Sequence, residues 1–149
     1  MMNIENEFIV SRYKYIIEKI NKLDEQYRDN TNLAYKISLS LLTFIILSKL
    51  SFSEGKINFL TLELAIKSAA IIAIIFFVYL TLLSICHLLS WFDFRQEECE
   101  LFERMNLSEL RNKPTWKNIY RWSELYFIVL CITIAAIGLY LFFSPNFIL

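Results

Sequence analysis

The chain has 149 residues, of which 56% are apolar and 20% charged, and its formal net charge is zero. That balance excludes a global basic field for holding nucleic acid, so none is expected as a partner. Two glycines and two prolines leave no flexible linker or second domain, and residues 1–149 read as a single small domain.

Three apolar runs, 33–50, 60–91 and 125–143, each approach or exceed the roughly 20 residues a helix needs to cross a hydrocarbon core. The expected fold class is an all-α membrane protein with three transmembrane helices. A long N-terminal cytoplasmic helix (1–32) precedes span 1, and a cytoplasmic helical segment (92–123) joins spans 2 and 3. The first run lacks the basic n-region and small-residue cleavage site of a signal peptide, so it reads as a retained signal anchor.

In the N-terminal segment, Ile9, Tyr13, Ile16, Ile20, Leu23 and Tyr27 alternate at spacings of four and three. That is the a/d seam of a coiled coil, with Glu, Lys and Asn on the other faces. The register continues through Ala34, Ile37, Leu41 and Phe44 into the first span. One continuous helix about 68 Å long is expected; a local break with a fresh N-cap at Asp29, Asn30, Thr31 and Asn32 is the alternative. The seam needs cover, either from the second charged island of the same chain or from the same helix of a neighbouring subunit.

Within span 1, Lys36, Ser40 and Thr43 share one face. Together with Phe44, and with His87 of span 2, they are the candidate pore-lining residues, with Leu41, Phe44 and Ile45 as the closing group. The competing expectation is that each hydroxyl bonds its own i−4 carbonyl and does nothing more.

The second run is overlong at roughly 48 Å of helix. It is expected to tilt and to continue through 93–105 as an amphipathic helix burying Phe94, Leu101, Phe102 and Met105. Glu63 and Lys67 are placed to pair at i,i+4 near the outer headgroups. Ala65, Ala69 and Ala73 form a small-residue face, and Cys131, Ala135 and Gly138 a similar one on span 3. Such faces serve close helix packing, within a subunit or between subunits. Thr81, Ser84, His87 and Trp91 share a polar face, where the lone histidine is either a pore or gating group or a neutral, hydrogen-bonded one.

Residues 106–114 read as a turn. Pro114 and Thr115 then open a new helix, with Thr115 as N-cap and Trp116, Ile119 and Tyr120 at the interface, running into span 3.

Basic residues decide orientation. Arg12, Lys14, Lys19, Lys22, Arg28 and Lys36 precede span 1, and Arg95, Arg104, Arg111, Lys113, Lys117 and Arg121 lie between spans 2 and 3. The expectation is a multi-pass protein of a bacterial inner membrane, N-terminus cytoplasmic and C-terminus outside. Tyr35, Trp91, Trp122 and Tyr126 would then mark the inner interface and Tyr140 the outer one.

Catalytic chemistry is not expected. The chain has no glycine-rich phosphate loop and no paired acids in a plausible cleft, and no cofactor is implied. Cys86, Cys99 and Cys131 form no CxxC pair and His87 is alone, so no metal site is expected. Cys99 sits among Glu97, Glu98, Glu100 and Glu103, an anionic setting that blunts thiolate chemistry. Arg104, Arg111, Lys113, Lys117 and Arg121 are candidate receivers of an anionic nucleotide, or else serve topology and lipid headgroups.

The charged N-terminal "SRYKYIIEKI" and "YRDN", the hairpin from "LAYKISLSLLTFIILSKL" to "AIKSAAIIAIIFFVYLTLLS", and the returning helix resemble the SLATT membrane effectors. The resemblance covers residues 5–110, and the third span departs from the two-span plan. It implies a self-associating effector that opens an ion path, depolarises the cell and halts growth in bacterial antiviral defence. The implied partners are membrane lipid, further copies of the chain, and a nucleotide signal or nucleotidyltransferase. A non-conducting scaffold docking a soluble partner through its cytoplasmic helices is the alternative, and a holin fits less well.

Overall fold

A hairpin of two very long helices carries a third, shorter helix on its flank. The computed structural model describes residues 4–105, 107, 112–117 and 122–144. Helix α1 spans Ile4–Ser53, α2 spans Phe59–Arg104 and α3 spans Ser123–Phe143. All three are long and apolar enough to cross a membrane. At 1.5 Å per residue, α1 and α2 are about 75 and 69 Å long.

Helix α1 runs unbroken through the Asp29–Asn32 segment, so the alternative break is not adopted. Thr31 donates its hydroxyl back to the Tyr27 carbonyl at 2.9 Å instead of capping a new helix. The helix ends where glycine allows it. Gly55 has φ of 71°, Lys56 N–H bonds the Ser51 carbonyl and Gly55 N–H bonds that of Phe52, which closes a Schellman turn. Three residues later the Asn58 side chain accepts from the backbone N–H of Thr61 at 2.8 Å and starts α2. Opposite ends of the turn are pinned by the Phe52 and Phe59 rings, 6.4 Å apart.

Helix α2 is the central element, and α1 and α3 pack along it. One core cluster joins Ala34 of α1, Ala73, Phe77 and Leu80 of α2, and Phe127 and Cys131 of α3. Tyr27 meets Phe127 edge-on at 5.6 Å, where α1 touches α3. A second cluster, beyond the apolar run of α2, joins Ile16 and Ile20 to Leu101, with Tyr13, Trp91 and Phe94 packed around them. Two physical regimes therefore hold one α1–α2 interface. In water each buried isoleucine contributes about 1.5–3 kcal/mol. Inside lipid that drive is absent and close packing must serve instead.

Close packing is tightest between α2 and α3. A Cβ added at Gly138 would lie 3.2 Å from the Ala70 carbonyl oxygen and 3.4 Å from the Ala73 Cβ. The small-residue faces thus meet within the chain. Ala69, Ala70 and Ala73 are buried while Ala65 is only half-buried, so the contact row runs through Ala70, which the four-residue repeat passes over.

Two local expectations need correction. Met105 is 41% exposed, because α2 ends at Arg104 and the chain leaves the packed face there. No helix runs unbroken from Thr115 into span 3, because Trp122 is extended. Residues 112–115 are irregular, Trp116 and Lys117 have 3₁₀ geometry, and Trp122 is extended at φ −92°, ψ 127° before α3 begins. Aromatic packing explains the path. Trp116 stacks on Phe92 at 4.5 Å, and Trp122 lies 5.4 Å from Trp91, folding this elbow back onto α2. Ile119 and Tyr120 lie outside the described residues.

Candidate pore face and basic cavities

The face of α1 that carries Lys36, Ser40 and Thr43 is turned away from the rest of the chain. Ala34 is buried in the core and Leu41 packs against it, whereas Lys36, Ser40, Thr43 and Leu47 are exposed. At 3.6 residues per turn these four lie within an arc of about 60°. Toward the amino end Asp29, Glu25, Lys22 and Glu18 fall in the same arc, with Asn32 and Lys14 about 20° beyond its edge, all exposed. The result is one polar strip about 50 Å long that enters the first apolar run and ends at Leu47.

The hydroxyls on that strip are internally satisfied. Ser40 donates to the Lys36 carbonyl at 2.9 Å and Thr43 to that of Leu39 at 2.8 Å. Each oxygen keeps acceptor capacity, so the strip is polar without carrying orphan donors. Of the three membrane-length segments α1 buries least, 6% of its most apolar stretch against 33% for α2.

The other pore candidates separate from this strip. Phe44 is exposed on its edge, 46% accessible. Leu41 packs into the core and Ile45 is half-buried, so neither lies on the strip to close it. His87 lies elsewhere, beside a narrow crevice with Leu23, Asp24 and Tyr27 of α1 and Glu124 of α3. Its Nδ1 is buried and has no hydrogen-bond partner among the described residues, as is true of the Ser84 hydroxyl one turn earlier. The histidine belongs to the junction of three helices, because its position on α2 faces inward.

The seam of α1 divides in two. Ile16 and Ile20 are fully covered by α2, Tyr13 and Tyr27 are partly covered, and Ile9 and Leu23 are half-buried. Tyr13 lies 5.6 Å from Phe102 and Tyr15 6.5 Å from Phe94. Arg12 donates its Nε to Glu97 at 2.6 Å and sits over the Tyr15 ring at 5.0 Å.

No protein-family model, curated protein or solved structure matches the chain.

The candidate anion receivers do not form one cluster. Arg104 lines a cavity of about 490 Å³ with Phe8, Ser11, Arg12, Tyr15, Glu97 and Glu100, whose carboxylates disfavour an anion. Lys113 lines a different cavity, of about 220 Å³, with Trp91, Arg95, Cys99, Asn112 and Trp122 among its walls. Lys117 is exposed, with 3₁₀ geometry, and Arg111 and Arg121 lie outside the described residues. The split follows from helix phase: Arg104 faces the amino end of α1, while the second cavity opens under the elbow. Glu103 hydrogen-bonds Lys113 at 3.2 Å, which raises the lysine pKa and keeps it cationic. Arg95 was not singled out from sequence. The available signal was its place four residues after Trp91 and four before Cys99, on one helix face. Among the described residues no group of histidine, cysteine and acidic side chains is arranged to hold a metal ion.

Proposed function

We propose that the chain is a self-associating membrane effector whose α1 helices gather around an axis and open an ion path. The observation that carries this reading is the polar strip on the membrane half of α1, opposite the face that α2 covers. A charged side chain facing lipid is unfavourable by about 2.5–3.5 kcal/mol at a span centre, less near its end. Self-association turns Lys36, Ser40 and Thr43 toward water and one another. Leu47, the last member of the strip, then forms an apolar ring of the kind that gates by dewetting.

Positive residues on both charged stretches support an inner-membrane orientation with the N-terminus cytoplasmic and the C-terminus outside. The amino half of α1 and the end of α2 are then the cytoplasmic handle through which gating acts. Binding there opens the path only by favouring one state over the other. The resemblance to SLATT effectors supplies the setting, depolarisation that halts growth during antiviral defence.

Purified full-length protein in liposomes tests the proposal by ion or dye release. Ser40→Leu and Thr43→Leu are expected to abolish release while the oligomer persists on size exclusion. Unchanged release would move the path to another helix. A monomer that releases nothing under any condition would support the competing class, a scaffold that docks a soluble partner on the mixed-charge cavity between α1 and α2.

A further inference from the structure

The cavity beneath the elbow is built differently from the other spaces in the molecule. Its walls bring together two basic residues, Arg95 and Lys113, with Cys99, Asn112, Thr115 and the tryptophans Trp91 and Trp122. Among the described residues no carboxylate lines it. Glu98 and Glu103 hold the two cations from outside the lining, Glu98 at 2.8 Å from the Arg95 Nη1. Arg95 is mostly buried, with its guanidinium 5.3 Å from the centre of the Trp91 ring. The volume, about 220 Å³, equals about seven waters at ~30 Å³ each, enough for a phosphate group with part of its hydration.

Position narrows the source of that phosphate. The cavity lies where the apolar run of α2 gives way to charge after Trp91, and α3 begins one residue beyond Trp122. Paired tryptophans at such a boundary mark the headgroup level of a bilayer. Basic pockets between helices at that level take anionic lipid heads. We propose that this cavity is a phosphate site filled by the headgroup of an anionic phospholipid, held by Arg95 and Lys113 against the two indoles. The site rests on side chains of one chain and is independent of the pore reading.

The chain has three tryptophans, and all three belong to this elbow, so intrinsic fluorescence reports on it directly. The full chain in a neutral detergent is titrated with dioctanoyl phosphatidylglycerol, with dioctanoyl phosphatidylcholine and with inorganic phosphate. The expected result is a saturable emission change with phosphatidylglycerol alone. Lys113→Gln should weaken it about fivefold, as expected for one basic residue at a lipid surface. Arg95→Gln combined with Glu98→Gln should abolish it without stranding a buried carboxylate, and Lys117→Gln, outside the lining, should leave it unchanged. Should the double variant lose its helical circular dichroism, the exposed Lys113→Gln decides. An equal response to phosphatidylcholine, or to none of the three probes, overturns the site. The same saturation by inorganic phosphate overturns the lipid source and assigns a soluble phosphate.

Discussion

Arg12 on α1 and Glu97 on α2, 85 positions apart, are joined at 2.6 Å by a charge-assisted hydrogen bond. Both side chains are about a third or more exposed, so the pair contributes under about 1 kcal/mol. One turn along, Ile16 is completely buried. Ile16→Ala should cost about 2–4 kcal/mol and Arg12→Ala less than about 1 kcal/mol. Thermal unfolding of the two variants in detergent, followed by circular dichroism, orders them. Equal losses would mean that the ion pair, not the apolar seam, holds the two helices together.

Gly138 makes the closest approach between α2 and α3. An alanine there meets the Ala70 carbonyl oxygen and the Ile74 Cγ1, both at 3.2 Å. Overpacking of this kind costs about 1–3 kcal/mol. Gly138→Ala should lower the melting temperature, and by less in an Ile74→Ala background, where one of the two clashes is gone. A substitution with no effect in either background would show that the helices separate there without loss.

Gly55 tests the hairpin in isolation. A Cβ at this position meets nothing within 4 Å, so the cost of Gly55→Ala is the left-handed backbone alone. That is about 1–2 kcal/mol. Gly55→Asn should recover part of it, since asparagine tolerates this conformation better. The comparison again uses thermal unfolding, and an alanine variant as stable as the parent would count against the Schellman turn.

Thiol scanning separates the two sides of α1. In a chain with Cys86, Cys99 and Cys131 replaced, Ser40→Cys and Thr43→Cys in liposomes should react with a charged thiosulfonate and block ion release. Leu41→Cys, on the packed side, should be slow. Faster reaction at Leu41 than at Ser40 would place the water path on the wrong flank for the proposed assembly.

Much of the architecture was legible because lipid and helix geometry are coarse, strong constraints. Apolar length marked three helices long enough to cross a membrane, and the absence of Gly or Pro across residues 4–53 agrees with the unbroken α1. The elbow was not legible. Pro114 and Thr115 carry ordinary helix-start chemistry, but the extended backbone at Trp122 breaks any run into α3, and Trp116 stacks on Phe92 of α2 instead of following span 3. Gly55 and Asn58 carry ordinary C-cap and N-cap chemistry, and the hairpin uses both.

The sites show the same division. By itself the sequence determined that Lys36, Ser40 and Thr43 share a flank, because a 3.6-residue period settles that along one helix. Which flank of α1 meets α2 was decided only by the tertiary structure, and with it the inward place of His87 and Leu41. Tertiary structure alone also set Arg95 and Lys113 around one cavity and left Arg104 in another. The physical reason is distance along the chain. Periodicity orders neighbours a few residues apart, whereas contacts between helices depend on how whole side-chain surfaces interlock.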